Sequence, residues 1–185
     1  MSEALRLDPG IGCLLAGALA LLFAHAAWHK WRALAHFRGQ LAAYRLLPDA
    51  LLGVAGVGVP LAETAIAVLL LIGPLRAAAA LAGAALLLAY AAAMGINLAR
   101  GRRDLDCGCA GPAERRPIAA WMVWRNVLLS LVLLALGRPW SERALGAVDL
   151  LTIGGGVLVL VLLYAAVERL LGQVMPRTAA LRGAR

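Results

Sequence analysis

ALLGVAGVGVPLAETAIAVLLLI (residues 50–72), Gly73-Pro74 and LRAAAALAGAALLLAYAAAMGINL (residues 75–98) together form the stretch that decides the fold. Each run exceeds the ~20 apolar residues that carry a helix across a bilayer, and each is too long and too uniformly apolar to be a barrel strand. Gly73-Pro74 leaves room only for a tight turn, with Pro74 suited to a first helical turn, so the two runs form an antiparallel hairpin. Gly53, Gly56 and Gly58 permit close helix approach in the first run, which also carries Pro60 and an acid, Glu63.

Three more apolar runs, 11–28, 118–136 and 150–167, bring the expected spans to five. The fold class is all-α, a polytopic transmembrane helical bundle. A chain of 185 residues that is 63% hydrophobic and 15% charged, with mean hydropathy +0.83, fits no ordinary soluble domain. Residues 1–171 read as one helical-bundle domain and 172–185 as a basic C-terminal tail. The first run resembles a signal peptide at Ala24-His25-Ala26, but the leading segment sets Arg6 against Glu3 and Asp8, the wrong charge for one. Cys13, near the start of that run, reads as a small packing residue. Between spans one and two, Leu34, Phe37, Leu41, Tyr44 and Leu47 recur at three or four among Arg32, Arg38, Gln40 and Arg45. That spacing predicts an amphipathic helix over 30–47 lying in the interface, with Trp28 and Trp31 at headgroup level and Pro48-Asp49 ending it.

A net charge of +8 would suggest nucleic acid in a soluble protein. Here the bases sit between hydrophobic spans, so they read as surface anchors and topology signals, and no nucleic-acid partner is expected; the partner of most of the surface is the lipid bilayer. Five spans place segment 30–49, loop 99–117 and the tail on one face, with thirteen Lys and Arg residues there against four (Arg6, Arg76, Arg138, Arg143) on the other. Taken alone, the positive-inside rule turns that richer face to the cytoplasm.

Loop 99–117 is the longest polar interruption and holds Asp106-Cys107-Gly108-Cys109-Ala110-Gly111-Pro112. A C-x-C pair around an unhindered glycine can close a small strained disulfide, which suits exchange better than stapling. Arg100, Arg102, Arg103, Arg115 and Arg116 favour the thiolate, while Asp104, Asp106 and Glu114 oppose them. Two other readings stay open: two inert thiols in a turn, or half of a metal site whose only nearby candidates are His25, His29 and His36. His25 and His29, four apart, share one helix face on the cysteine side and are candidate proton acceptors. Glu63 costs roughly 2.5–3.5 kcal/mol to insert, so it must be paired, protonated or wet. A count along the helices puts Arg125 within reach of it, which suggests a Glu63–Arg125 pair, with Asn126 adding hydrogen-bonding capacity below the turn. A proton path to the cysteines is the functional alternative.

Lys30 with Phe37, Tyr44-Arg45-Leu46-Leu47-Pro48, the intramembrane Glu63, Ile96-Asn97-Leu98 before Arg100-Gly101-Arg102, the Asp106-Cys107-Gly108-Cys109 turn with Gly111-Pro112, and Arg125-Asn126 resemble the MauE branch of the DoxX-like membrane proteins over roughly residues 12–136. Ala110 departs from the pattern, where members often carry an aromatic residue, and this bears on the local partner contact. The resemblance implies a redox protein of the bacterial plasma membrane that works with a thioredoxin-like (MauD-like) partner to mature a disulfide-containing client, as in methylamine dehydrogenase maturation. In design it is similar to vitamin K epoxide reductase and DsbB. It also implies an extracytoplasmic cysteine turn, against the basic count.

The expected function is therefore thiol-disulfide exchange by Cys107 and Cys109, one thiolate attacking a partner disulfide and its neighbour resolving the mixed disulfide. His25, His29, Glu63, Arg125 and Asn126 stand as the surrounding or proton-path residues. A quinone near Glu63, Arg125 and Trp121 or Trp124 is the candidate electron acceptor, marked by no motif, and no metal is assigned. The competing classes are a non-enzymatic assembly scaffold and a metal carrier using Cys107, Cys109 and a histidine.

Overall fold

The computed structural model describes residues 6–107 and 117–183, the last stretch from 172 as backbone alone. Six α-helices follow one another: α1 (Pro9–Arg32), α2 (Leu34–Tyr44), α3 (Asp49–Leu69), α4 (Arg76–Ala99), α5 (Ala120–Leu136) and α6 (Ala147–Gly183). Among the described residues there are no β-strands, only isolated bridges. The chain is an all-α polytopic helical bundle, as the apolar runs require.

Local chemistry sets the helix ends. Asp8 caps α1 by accepting from Gly10 N at 2.8 Å, with Pro9 following it at the helix start, where a missing N–H is harmless. The helix continues past the expected end at Trp28 to Arg32, and Ala33 breaks it with an extended φ. The expected interfacial helix is shorter than residues 30–47, since α2 begins at Leu34 and ends where Arg45 turns left-handed at φ 51°. Pro48 then caps α3. A 3-10 turn, Gly73–Leu75, joins α3 to α4 as the Gly-Pro pair predicted. Helix α6 runs on from span five through Pro176 to Gly183.

Four helical segments, Pro9–Arg32, Asp49–Leu69, Gly73–Ala99 and Ala147–Leu171, are long and apolar enough to cross a membrane. The other apolar helix, α5, has 17 residues, about 25 Å at ~1.5 Å per residue. It runs antiparallel to α4: Ser130 Oγ donates to Ala84 O at 3.3 Å, and Leu133 faces Gly83. Helices α1 and α3 are antiparallel too, whereas α6 runs parallel to α1, with Val157 against Gly17 and Leu14 against Gly156. The lipid-facing sides carry large apolar residues such as Val148 and Leu151, 77% and 78% exposed.

Ala16, Leu19, Ala20 and Phe23 of α1 pack with Ile66, Ala67 and Leu70, with Ala79, Ala80 and Ala84 of α4, and with Leu133 and Leu136. Small residues on α4 let three other helices pack around it, since packing rather than water expulsion drives association in lipid. Gly83 sits where side chains of three other helices converge: a Cβ there would lie 3.2 Å from Phe23, 3.3 Å from Ile66 and 3.3 Å from Leu133. Gly83→Ala is expected to lose about 1–3 kcal/mol by overpacking. Gly95→Ala on the same helix, where a Cβ meets nothing within 4 Å, should be neutral or gain up to about 1 kcal/mol. Thermal unfolding of the chain in lipid nanodiscs compares the two.

The end of the bundle away from the cysteine loop is tied by Arg143, which reaches both Asp8 and Asp149. Leu7 exchanges backbone hydrogen bonds with Pro139 and Ser141, and Arg76 stacks on Trp140 at 3.5 Å. Arg143 holds the Asp8 carboxyl below its ordinary value. That tie is therefore complete at neutral pH and is lost as acid protonates Asp8 through its lowered value.

Candidate functional site

The opposite end gathers the polar residues of the spans beneath α2 and the cysteine loop. The loop is pinned from both sides. Asn97 is fully buried; its amide donates to Ala93 O at 3.1 Å, and its Oδ1 accepts from Arg102 Nη1 at 2.9 Å. Gly101, at φ 76°, turns the chain so that Arg102 also reaches Ala43 O at 2.7 Å and Tyr44 O at 3.3 Å. These are orphan carbonyls at the end of α2, so one guanidinium closes that helix and fastens it to the loop. Arg102→Ala is expected to cost about 1–3 kcal/mol locally and to speed Cys107 modification by a maleimide, read as a labelling rate at constant overall fold.

Gln40 of α2 donates to Asp106 Oδ2 at 3.1 Å, and His36 lies 3.9 Å from the same oxygen. Ile118 N donates to Leu105 O at 2.8 Å, and Asp106 bridges to Pro117, closing the neck of the loop. Cys107 emerges from this neck half-buried against Met94, Ile118 and Met122. Cys109, with Arg115, Arg116 and the rest of 108–116, lies outside the described residues.

Cys107 opens into a cavity of about 1050 Å³ between α1, α5 and α6, whose lining also includes His25, His29, Glu63, Arg125 and Asn126. Every described residue singled out in the sequence as reactive or surrounding therefore lines one space. The partnerships within it differ from expectation. Glu63 does not pair with Arg125; it is 1% exposed, and both its oxygens accept from Lys30 Nζ, at 2.7 and 2.9 Å. Tyr90 of α4 donates to Glu63 Oε1 at 2.7 Å. The Lys30 ammonium also lies 5.4 Å from the Phe37 ring and 5.5 Å from that of Tyr90. Arg125 instead meets Glu168 of α6 at 2.6 Å.

The cause is helix offset. Arg38 of α2 packs against Gly56, so the first half of α3 stands beside α2 rather than beside α1. Counting residues inward from the loop thus sets Glu63 too deep, whereas it lies level with the last turn of α1, where Lys30 sits. Lys30 is a buried partner and no surface base, which removes it from the positive-inside count. Tyr90 and Glu168 are the residues that sequence reasoning missed, and Lys30 stood only in the family resemblance and the basic count, without its pairing to Glu63. Tyr90 was visible as the only hydroxyl in an otherwise apolar stretch of Ala and Leu, and Glu168 as an acid ending span five.

His25 and His29 face each other with Nε2 atoms 3.1 Å apart. Asn126 is 2% exposed, and its Nδ2 has no hydrogen-bond partner. Trp121 and Trp124, expected beside a quinone, do not line the cavity, and Trp124 is 67% exposed. Among the described residues no group of three or more His, Cys, Asp or Glu side chains could hold a metal ion.

The family model described as "Methylamine utilisation protein MauE" matches residues 9–139, from the start of α1 to just beyond α5. The chain is similar to the methylamine utilization protein MauE of Paracoccus denitrificans, 42% identical over 68% of this chain and 69% of that protein. It is 38% identical to the protein of that name from Paracoccus versutus, over 95% and 96% of the two chains. The namesake from Methylophilus methylotrophus is 31% identical over 92% and 90%. No solved structure matches significantly.

Proposed function

Because this chain belongs to the MauE family of methylamine utilisation proteins, we propose that it is the membrane accessory factor that passes disulfides to a thioredoxin-like partner during maturation of a disulfide-containing client. The observation that carries this reading is the position of Cys107, held by a pinned loop at the mouth of a polar-ended cavity rather than in open solvent. In the productive direction a partner thiolate attacks the Cys107–Cys109 disulfide. The mixed disulfide then resolves onto the partner, whose new disulfide leaves two thiols here; one disulfide forms, one breaks, and two electrons and two protons move to this chain. The reverse exchange uses the same atoms.

Proton handling falls to the groups around the thiol. The His25–His29 pair shares one hydrogen bond, so either imidazole can accept a thiol proton while the other steadies it. Lys30, whose charge Glu63 balances, fixes the wall of the same cavity together with Tyr90. Arg125, paired with Glu168, lines the same cavity from α5. The membrane is taken to be the bacterial plasma membrane with the turn on its outer side, where disulfides persist.

Single Cys107→Ser and Cys109→Ser variants test the reading on a Cys13→Ser background. One of them should accumulate a reductant-sensitive adduct containing a thioredoxin-like protein, and a membrane-impermeant maleimide should label the turn in intact cells. No such adduct from either variant defeats the exchange reading. Labelling that needs permeabilised cells reverses the assigned side.

A further inference from the structure

Helix α6 lies along α1, with Val157 against Gly17 and Leu14 against Gly156, and is joined to α5 by the Arg125–Glu168 pair. The cavity of about 1050 Å³ occupies the seam between α5 and α6, with α1 as its floor. Three of the residues along it, Leu21, Leu163 and Val167, are 50%, 57% and 50% exposed. On a transmembrane bundle such apolar surface faces acyl chains, so the cavity opens sideways into the bilayer.

Its length and depth match one leaflet. The cavity runs beside α1 from Leu15 to His29, roughly 20 Å at ~1.5 Å per residue. His29 shares the last turns of α1 with Trp28 and Trp31, both exposed, which mark headgroup level. A hydrocarbon core of ~30 Å leaves ~15 Å to each leaflet, so a chain entering at the level of His29 has the depth of its own leaflet within the cavity. The walls below that level are Leu15, Leu22, Leu129, Val132 and Leu160. Left empty, a space of this size would forfeit the dispersion contacts of both walls.

Charge selects the head. The charged side chains that line the cavity, apart from the histidines, are three bases, Lys30, Arg125 and Arg169, against two acids, Glu63 and Glu168. Lys30 is matched by Glu63 and Arg125 by Glu168. Among the described residues Arg169, exposed at the rim, is the base left over. Basic pockets between transmembrane helices bind anionic lipid heads. We propose that the seam between α5 and α6 seats one anionic phospholipid, its phosphate at Arg169 beside the His25–His29 end and an acyl chain along Leu22, Val132 and Leu160. The lipid fills the wall between α5 and α6 and so completes the packing of α6 on the bundle.

The full chain, stripped of lipid in detergent, is titrated with dioleoyl phosphatidylglycerol or with zwitterionic dioleoyl phosphatidylcholine, and bound lipid is counted by native mass spectrometry. Phosphatidylglycerol should saturate near one per chain and bind about fivefold tighter than phosphatidylcholine, the effect of one base near an anionic head. Arg169→Gln, an exposed substitution, should remove that preference, whereas Arg138→Gln at the other end of the bundle should leave it. Leu160→Trp, which fills the acyl channel, should weaken both lipids about tenfold or more in a chain whose helical circular dichroism is unchanged. Absence of a saturable site, equal affinity for the two lipids, a preference that survives Arg169→Gln, or binding indifferent to Leu160→Trp would each overturn the inference. So would an uncharged apolar molecule that stays bound and that phosphatidylglycerol does not displace.

Discussion

Cells carrying Cys107→Ser together with Cys109→Ser are expected to lose client maturation down to the uncatalysed background, a fall of about 100-fold or more in the rate of client disulfide formation. The size follows from what a held pair supplies: a neighbouring thiol resolves a mixed disulfide at an effective concentration that dissolved thiols do not reach. Cys13→Ser should leave maturation unchanged, because Cys13 lies near the start of α1, at the other end of the bundle. The measurement is the disulfide state of the client by alkylation and mass shift, with membrane-inserted protein quantified in the same cells. Normal client disulfides in the double variant, at normal protein level, would leave an assembly scaffold as the better reading. A variant that restores only Cys107 should not rescue, since exchange without a resolving partner stalls at the adduct.

Lys30→Met should be strongly destabilising, by about 3–5 kcal/mol, because it removes the ammonium from which both Glu63 oxygens accept in a nearly dry site. Glu63→Leu strands the ammonium and should cost about as much. The double variant Lys30→Met with Glu63→Leu should recover most of the loss, since a buried ion pair replaced by apolar side chains of similar volume is often neutral in stability. Unfolding midpoints of the four chains in one detergent give the cycle. Additive losses in the double variant would show that the 2.7 Å pair is not the reason either residue matters. If the recovered double variant inserts normally but matures client poorly, the pair acts on the chemistry of the cavity; if it matures client at full rate, the pair is a structural clasp between α1 and α3.

Several of these residues were legible before any coordinates. Glu63 announced itself by cost, because a carboxyl within an apolar run demands a partner. The cysteine loop stood out as the polar gap, and chain parity put it at the same end as His25 and His29, where the cavity joins them. The partner of Glu63 was not legible. Arg125 and Lys30 both lie near that end, and choosing between them depends on how far α3 is displaced along α1. The seating of α2 against Gly56 sets that displacement, and no spacing within α3 records it.

The sequence by itself determined that the chain is a helical membrane bundle, where its turns fall and which end carries the chemistry. Those properties depend on the length and order of apolar runs, which are one-dimensional quantities fixed by bilayer thickness. Only the tertiary structure decided that Lys30 and Tyr90 hold Glu63, that Glu168 holds Arg125, and that these residues share one amphipathic cavity with Cys107. Side chains from separate helices meet according to axial offset and rotation, and these are set jointly by contacts such as Gly83 against Phe23, Ile66 and Leu133, three helices that no local pattern in α4 identifies.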